Sequence, residues 1–212
     1  MPAPGTLDRR APAPYTPGVS PRDASEGAVA AAPVRPKPSL FLLVAMTGLG
    51  PFTMQIVIPS MPVMAAALAV PYGTVQLTLT LYLIGVALGQ LLYGPLSDRY
   101  GRKPLLLAGL GFYLLGSAIA AAAPTAGLLI MARVLQAAGG CAGLVLGRAM
   151  VRDAYPREQA ASVIGYVSTA MSVAPMVSPL LGSVLTEHFG WRSTMLACLL
   201  IGAPLWLAMR WR

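Results

Sequence analysis

The chain has 212 residues, of which 56% are hydrophobic and 10% charged, with a formal net charge of +8. A soluble domain carries about 25% charged residues to cover its core, so this composition excludes a water-soluble globular protein and fits one whose solvent is lipid. The positive charge does not indicate a nucleic-acid partner either, because the basic residues sit in short intervals between apolar runs and do not line one helix face.

Residues 1–38 hold nine of the 20 prolines and show no apolar periodicity. That is the composition of a disordered cytoplasmic tail. It is not a secretory signal, since the first apolar run lacks an evident cleavage site and is long enough to span. Between Lys37 and Asp98 no charge occurs. About 20 apolar residues cross a bilayer core, so this stretch holds two spans, near 39–59 and 75–93, parted at Val70-Pro71-Tyr72-Gly73. A third span covers 104–122 and ends at Pro124-Thr125. A fourth runs over 126–146 and carries Arg133 within it, a fifth over 159–186 and a sixth over 193–209. Backbone polar groups at this depth must be satisfied within the segment, and runs of this length mean helices, not barrel strands. The expected fold is an all-α membrane protein, a six-helix bundle over 39–212.

Orientation follows from the basic residues. The tail, the intervals after the second and fourth spans and the C-terminus together hold 13 of the 15 lysines and arginines. Arg192 alone falls on the opposite side, and Arg133 lies in the membrane. Both termini are therefore expected in the cytoplasm, in a plasma membrane of the bacterial inner-membrane type. Cys141 and Cys198 both fall in apolar runs and read as buried thiols. With one histidine, His188, they make no zinc pattern, and no nucleophile elbow, metal-ligand pair or phosphate-binding glycine loop occurs. Nothing points to an enzyme.

The segment from Gly94 to Lys103, GPLSDRYGRK, brackets a turn with glycines and sets Asp98 among Arg99, Arg102 and Lys103. On charge placement alone it is a positive-inside loop, with Asp98 positioned to cap the third helix. It resembles the signature loop G-x-L-x-D-R-x-G-R-K/R between the second and third helices of the Major Facilitator Superfamily. The resemblance implies that Gly94, Asp98, Arg99, Gly101, Arg102 and Lys103 help latch two halves of a transporter and gate their rocking.

Arg133 stands inside an apolar span, where insertion costs about 2.5–3.5 kcal/mol. Gln136, Gly140, Gly143 and Gly147 share its face. A snorkelling arginine beside a glycine packing face is the plain alternative. The run Arg133-Val-Leu-Gln136-Ala137-Ala-Gly139-Gly140 resembles the superfamily's fourth-helix motif R-x-x-Q-G-x-G, with Ala137 at one glycine. That likeness implies a role for Arg133 in proton coupling or in polarising a central cavity. On the fifth helix Gly165, Ala174, Ser178, Pro179, Gly182 and Ser183 form an expected ridge of small residues, and Ser178–Ser183 resembles the G-P-x-x-G-G core of antiporting exporters. The run Met54–Pro62 resembles the end of helix one in the bicyclomycin- and chloramphenicol-resistance branch, with Gln55 where many members carry an aspartate. Asp98, Asp153, Glu158 and Glu187 are all expected in loops, so no carboxylate lies within a span.

The resemblance covers about 40–212 and implies one half of a twelve-span carrier. The expected function is efflux of small amphipathic drugs, neutral or cationic, by proton antiport, with the proton gradient as driving force and no cofactor. The alternatives are an importer of a small organic solute and a non-transporting six-span fragment or scaffold. A half-length or truncated chain would need a second six-helix half or a homodimer, docked on the polar stripe of the fourth helix.

Overall fold

The computed structural model describes residues 39–211, side chains of 157 and 158 excepted; the tail expected at 1–38 lies outside the described residues. Helix α1 (Leu40–Gln55), a 3-10 turn (Ile58–Ser60) and α2 (Met61–Ala67) make up the first span. The other five spans are α3 (Tyr72–Tyr100), α4 (Arg102–Ala122), α5 (Ala126–Ala154), α6 (Arg157–Phe189) and α7 (Arg192–Trp211). All six are long and apolar enough to cross a membrane, as the charge gaps predict.

Proline and the left-handed backbone explain the breaks. The first span is not one continuous helix: Pro59 lacks the N–H that would take the Gln55 carbonyl, and the chain tightens into the 3-10 turn there. After α2 the Val70 N–H reaches the Ala65 carbonyl at 3.1 Å, a Schellman closure that holds Ala69 at φ 52°. Helix α3 then starts at Tyr72 behind Pro71, three residues earlier than expected.

The segment Gly94–Lys103 is not a loop. Helix α3 runs through Pro95 to Tyr100, and Gly101 alone, at φ 86°, turns the chain into α4. Gly101 also takes the cap position, so Asp98 does not cap α4; it stands exposed in the last turns of α3. The other acids likewise fall in end turns of helices and not in loops, Asp153 in α5 and Glu158 and Glu187 at the two ends of α6. A helix of 29 residues is about 43 Å long against a hydrocarbon core of about 30 Å, so these end turns project beyond the apolar layer and the middle turns of the spans carry no carboxylate.

Helix α5 is the hub, packed against α4, α3 and α1; α6 lies along α1, and α7 along α4. The core runs between these faces through Met46, Leu106, Leu110, Leu146 and Met195. Helices α3 and α6 bury the least of themselves, and Leu91 and Leu180 are 74% and 70% exposed. Apolar faces of that extent need lipid or another bundle as neighbour.

Candidate functional site

Arg133 lies about 10 Å below the start of α5 and is 1% exposed. It does not snorkel. Its Nη1 donates to Gln136 Oε1 at 2.5 Å, and Nη1 and Nη2 reach the Thr53 carbonyl at 3.4 and 3.5 Å. That carbonyl belongs to the last turn of α1, where the ladder gives out before the 3-10 turn. The guanidinium stacks on the Tyr82 ring of α3, with Cζ 4.4 Å from the centroid, a contact that favours the cation. Gln136 passes the network on, its Nε2 donating to Ser117 Oγ at 2.7 Å, and Ser117 donates to the Tyr113 carbonyl. Thr53 donates to the Leu49 carbonyl, and its oxygen lies 2.6 Å from Tyr113 Oη, which also reaches the Cys198 carbonyl at 3.4 Å.

Four helices thus meet through one charged group with, among the described residues, no carboxylate beside it. Arg133 Nε is buried and has no hydrogen-bond partner among the described residues. Thr53, Tyr82, Tyr113 and Ser117 were not singled out from the sequence. The signal was available, because a buried charge in lipid must be met by polar groups at its own depth, and few residues qualify.

Beside this network, between α1, α3, α5 and α6, lies a cleft of about 180 Å³ lined by Tyr82, Leu83, Val86, Gly140, Pro175 and Gln55, among others. Tyr82 is its wall on the Arg133 side, held by Oη donating to the Gly50 carbonyl at 3.1 Å. No hydrogen bond joins Gln55 to Arg133 among the described residues; Gln55 serves the cleft and Arg133 the network behind it. A second cleft of about 320 Å³ shares Leu144 with the first and is lined by Gln90, Arg148 and Arg152.

The glycines of α5 are packing devices. A Cβ on Gly143 would overlap the Met46 carbonyl and one on Gly147 the Thr47 hydroxyl, while Gly140 faces Gly50 and Tyr82. The stripe of the fourth span is therefore spent inside this bundle against α1 and is not a face for a docking partner. On α6, Ala174, Ser178 and Gly182 repeat every four residues and pack on α1: Gly182 against the Ile56 carbonyl, Ala174 near Gly48. Ser178 is fully buried and Pro179 half-buried. Gly165 does not belong to this ridge; it is exposed, with open space where a Cβ would be, and Ser183 is exposed as well.

At the end of α3, Asp98, Arg99, Gly101 and Lys103 are exposed and Gly94 has open space around it. The ordered contact there is Arg102 Nε to Asp153 Oδ2 at 2.7 Å, which ties the α3–α4 turn to the end of α5. Both cysteines are buried and free, as expected, and Cys141 lines the cleft.

Fold and site together define a multi-pass helical membrane protein with a buried cationic centre. The family model of the Major Facilitator Superfamily matches residues 41–212. A chloramphenicol resistance protein of Pseudomonas aeruginosa is 41% identical over 75% of this chain and 38% of its own length. Multidrug resistance protein D of Escherichia coli is 34% identical over 81% of this chain and 44% of its own. A bicyclomycin resistance protein homolog of Haemophilus influenzae is 31% identical over 77% and 42%. The chain belongs to the Major Facilitator Superfamily. It spans about two fifths of the length of these relatives.

Proposed function

We propose that this chain forms one six-helix half of a secondary transporter that exports small amphipathic drugs, driven by the proton gradient, with both termini in the cytoplasm. The observation that carries the reading is the buried Arg133 network set behind the wall of an apolar cleft. A buried charge of this kind is costly and is retained for function more often than for stability. The drug-resistance names of the relatives support the class of cargo.

In this reading the apolar cleft walls receive the amphiphile, the Gln55 amide offers it one donor group and one acceptor, and Arg133 polarises the site through Tyr82. A second six-helix unit covers the exposed faces of α3 and α6. The Arg102–Asp153 pair holds the α3–α4 turn to α5 so that the half moves as one body. With no carboxylate in the middle turns of any span, the titratable group of the antiport cycle comes from the second unit.

Everted membrane vesicles test this. With the second unit present, an imposed pH gradient drives accumulation of labelled chloramphenicol, and Arg133→Ala abolishes it. Gradient-driven accumulation by this chain alone, or accumulation indifferent to Arg133→Ala, would overturn the reading.

A further inference from the structure

Among the described residues, the charge that lines or backs the two clefts is of one sign. Arg133 stands behind Tyr82 with its guanidinium 4.4 Å from the ring and no carboxylate in the network. The second cleft, which adjoins the first at Leu144, is lined by Arg148 and Arg152 and, among the described residues, by no acid. The acids of α3, α5 and α6 lie in end turns, and Asp153 is already engaged by Arg102. Low-dielectric walls focus such a field onto whatever occupies the space between them.

Taking the cleft as the substrate site, we infer that it accepts neutral or anionic amphiphiles and rejects cations. This narrows the class that family likeness implies, in which neutral and cationic drugs stand together. A unit cation lodged about 8 Å from the guanidinium, at an effective dielectric of about 20, suffers roughly a thirtyfold penalty in affinity. A neutral amphiphile suffers none, and an anion gains, offsetting part of the cost of leaving water. Arg133 acts through Tyr82 and makes no contact with the substrate, so it is a positioning and polarising residue. Gln55 is an uncharged polar group of the cleft, and a carboxylate in its place would reverse the sign locally.

The test uses three probes of one shape: 4-phenylbutanol, 4-phenylbutanoate and 4-phenylbutylammonium. Each is dialysed to equilibrium against the full chain in nanodiscs of zwitterionic lipid, with empty nanodiscs subtracted. The alcohol and the carboxylate are expected to bind at least tenfold more tightly than the ammonium. Gln55→Glu, at a partly exposed position, should raise ammonium binding about tenfold and weaken the carboxylate, and Arg133→Gln should narrow the original ratio. Should Arg133→Gln not fold, Gln55→Glu carries the test alone. Ammonium binding equal to or tighter than the alcohol, or a ratio unmoved by Gln55→Glu, overturns the charge rule and leaves the cleft as a substrate site. Binding of none of the three overturns the cleft's role as well.

Discussion

A guanidinium at 1% exposure is held in this bundle by contacts of unequal strength, one short bond to Gln136, two long ones to the Thr53 carbonyl and the face of Tyr82, and they are not interchangeable. Gln136 accepts from it at 2.5 Å and donates onward to Ser117, so Gln136→Leu strips the charge of its best acceptor and leaves it buried. That substitution should cost about 3 kcal/mol, read from unfolding in mixed micelles. Arg133→Met removes the charge itself, and the loss of three hydrogen bonds is offset by relief of desolvation. Its stability should stay within about 1 kcal/mol of the parent while transport is lost. A fall as large as that of Gln136→Leu would mean that the arginine is structural. Thr53→Val, which breaks the link to Tyr113 and keeps the shape, should cost about 0.6–1.7 kcal/mol. The sequence points to Arg133 and Gln136, since a charge and an amide stand out among apolar neighbours. It does not point to Tyr82 or Ser117, whose roles arise only where α3 and α4 cross α5.

Among elements, α6 shows how small residues divide into those that pack and those that do not. The repeat Ala174, Ser178, Gly182 faces α1, and a Cβ on Gly182 would strike the Ile56 carbonyl, a backbone atom that cannot step aside. Gly182→Ala should therefore push α6 off α1 and destabilise the bundle by about 2 kcal/mol or more. Gly165→Ala meets open space and gains helix propensity, so it should stabilise by about 0.5–1 kcal/mol. Parallel thermal unfolding of the two variants checks both signs. At the α2–α3 turn Ala69 sits at φ 52°, a conformation that costs a Cβ-bearing residue about 1–2 kcal/mol. Ala69→Gly should return about 0.5 kcal/mol after the entropy that glycine adds to the unfolded chain. Composition could not sort Gly165 from Gly182, because both are glycines in one apolar run; only the helix that comes to lie alongside tells them apart.

For the whole molecule, the faces of α3 and α6 decide what the bundle needs from its surroundings. Leu91, Met176 and Leu180 stand open, while α1 and α5 are the best-buried spans. Lipid alone can cover leucine, but it cannot close a cleft that opens between helices, and this is why the reading calls for a second six-helix unit. Light scattering of the chain in mild detergent is expected to show no stable homodimer, since a second copy would bring no titratable group that the first lacks. Orientation is tested separately. A fluorescent protein fused after Arg212 should fluoresce, and alkaline phosphatase fused at the same place should stay inactive, both reporting a cytoplasmic C-terminus.

The spans themselves were legible without coordinates because lipid leaves a chain little choice: a long uncharged run must become a helix, and proline and glycine mark where it stops. The family was legible because Gly94–Lys103 and Arg133–Gly140 hold rare residue types at set spacing in otherwise uniform apolar sequence. What the sequence left open was which way each face turns. It placed Asp98 at a cap that Gly101 takes, and it set the glycine stripe of α5 on an outer surface when it is buried against α1. Periodicity says which residues share a face, but only the packing of the other helices says what that face meets. The fate of Arg133 shows the reason: in lipid an arginine can snorkel or be enclosed, and the difference lies in four polar groups carried by three other helices.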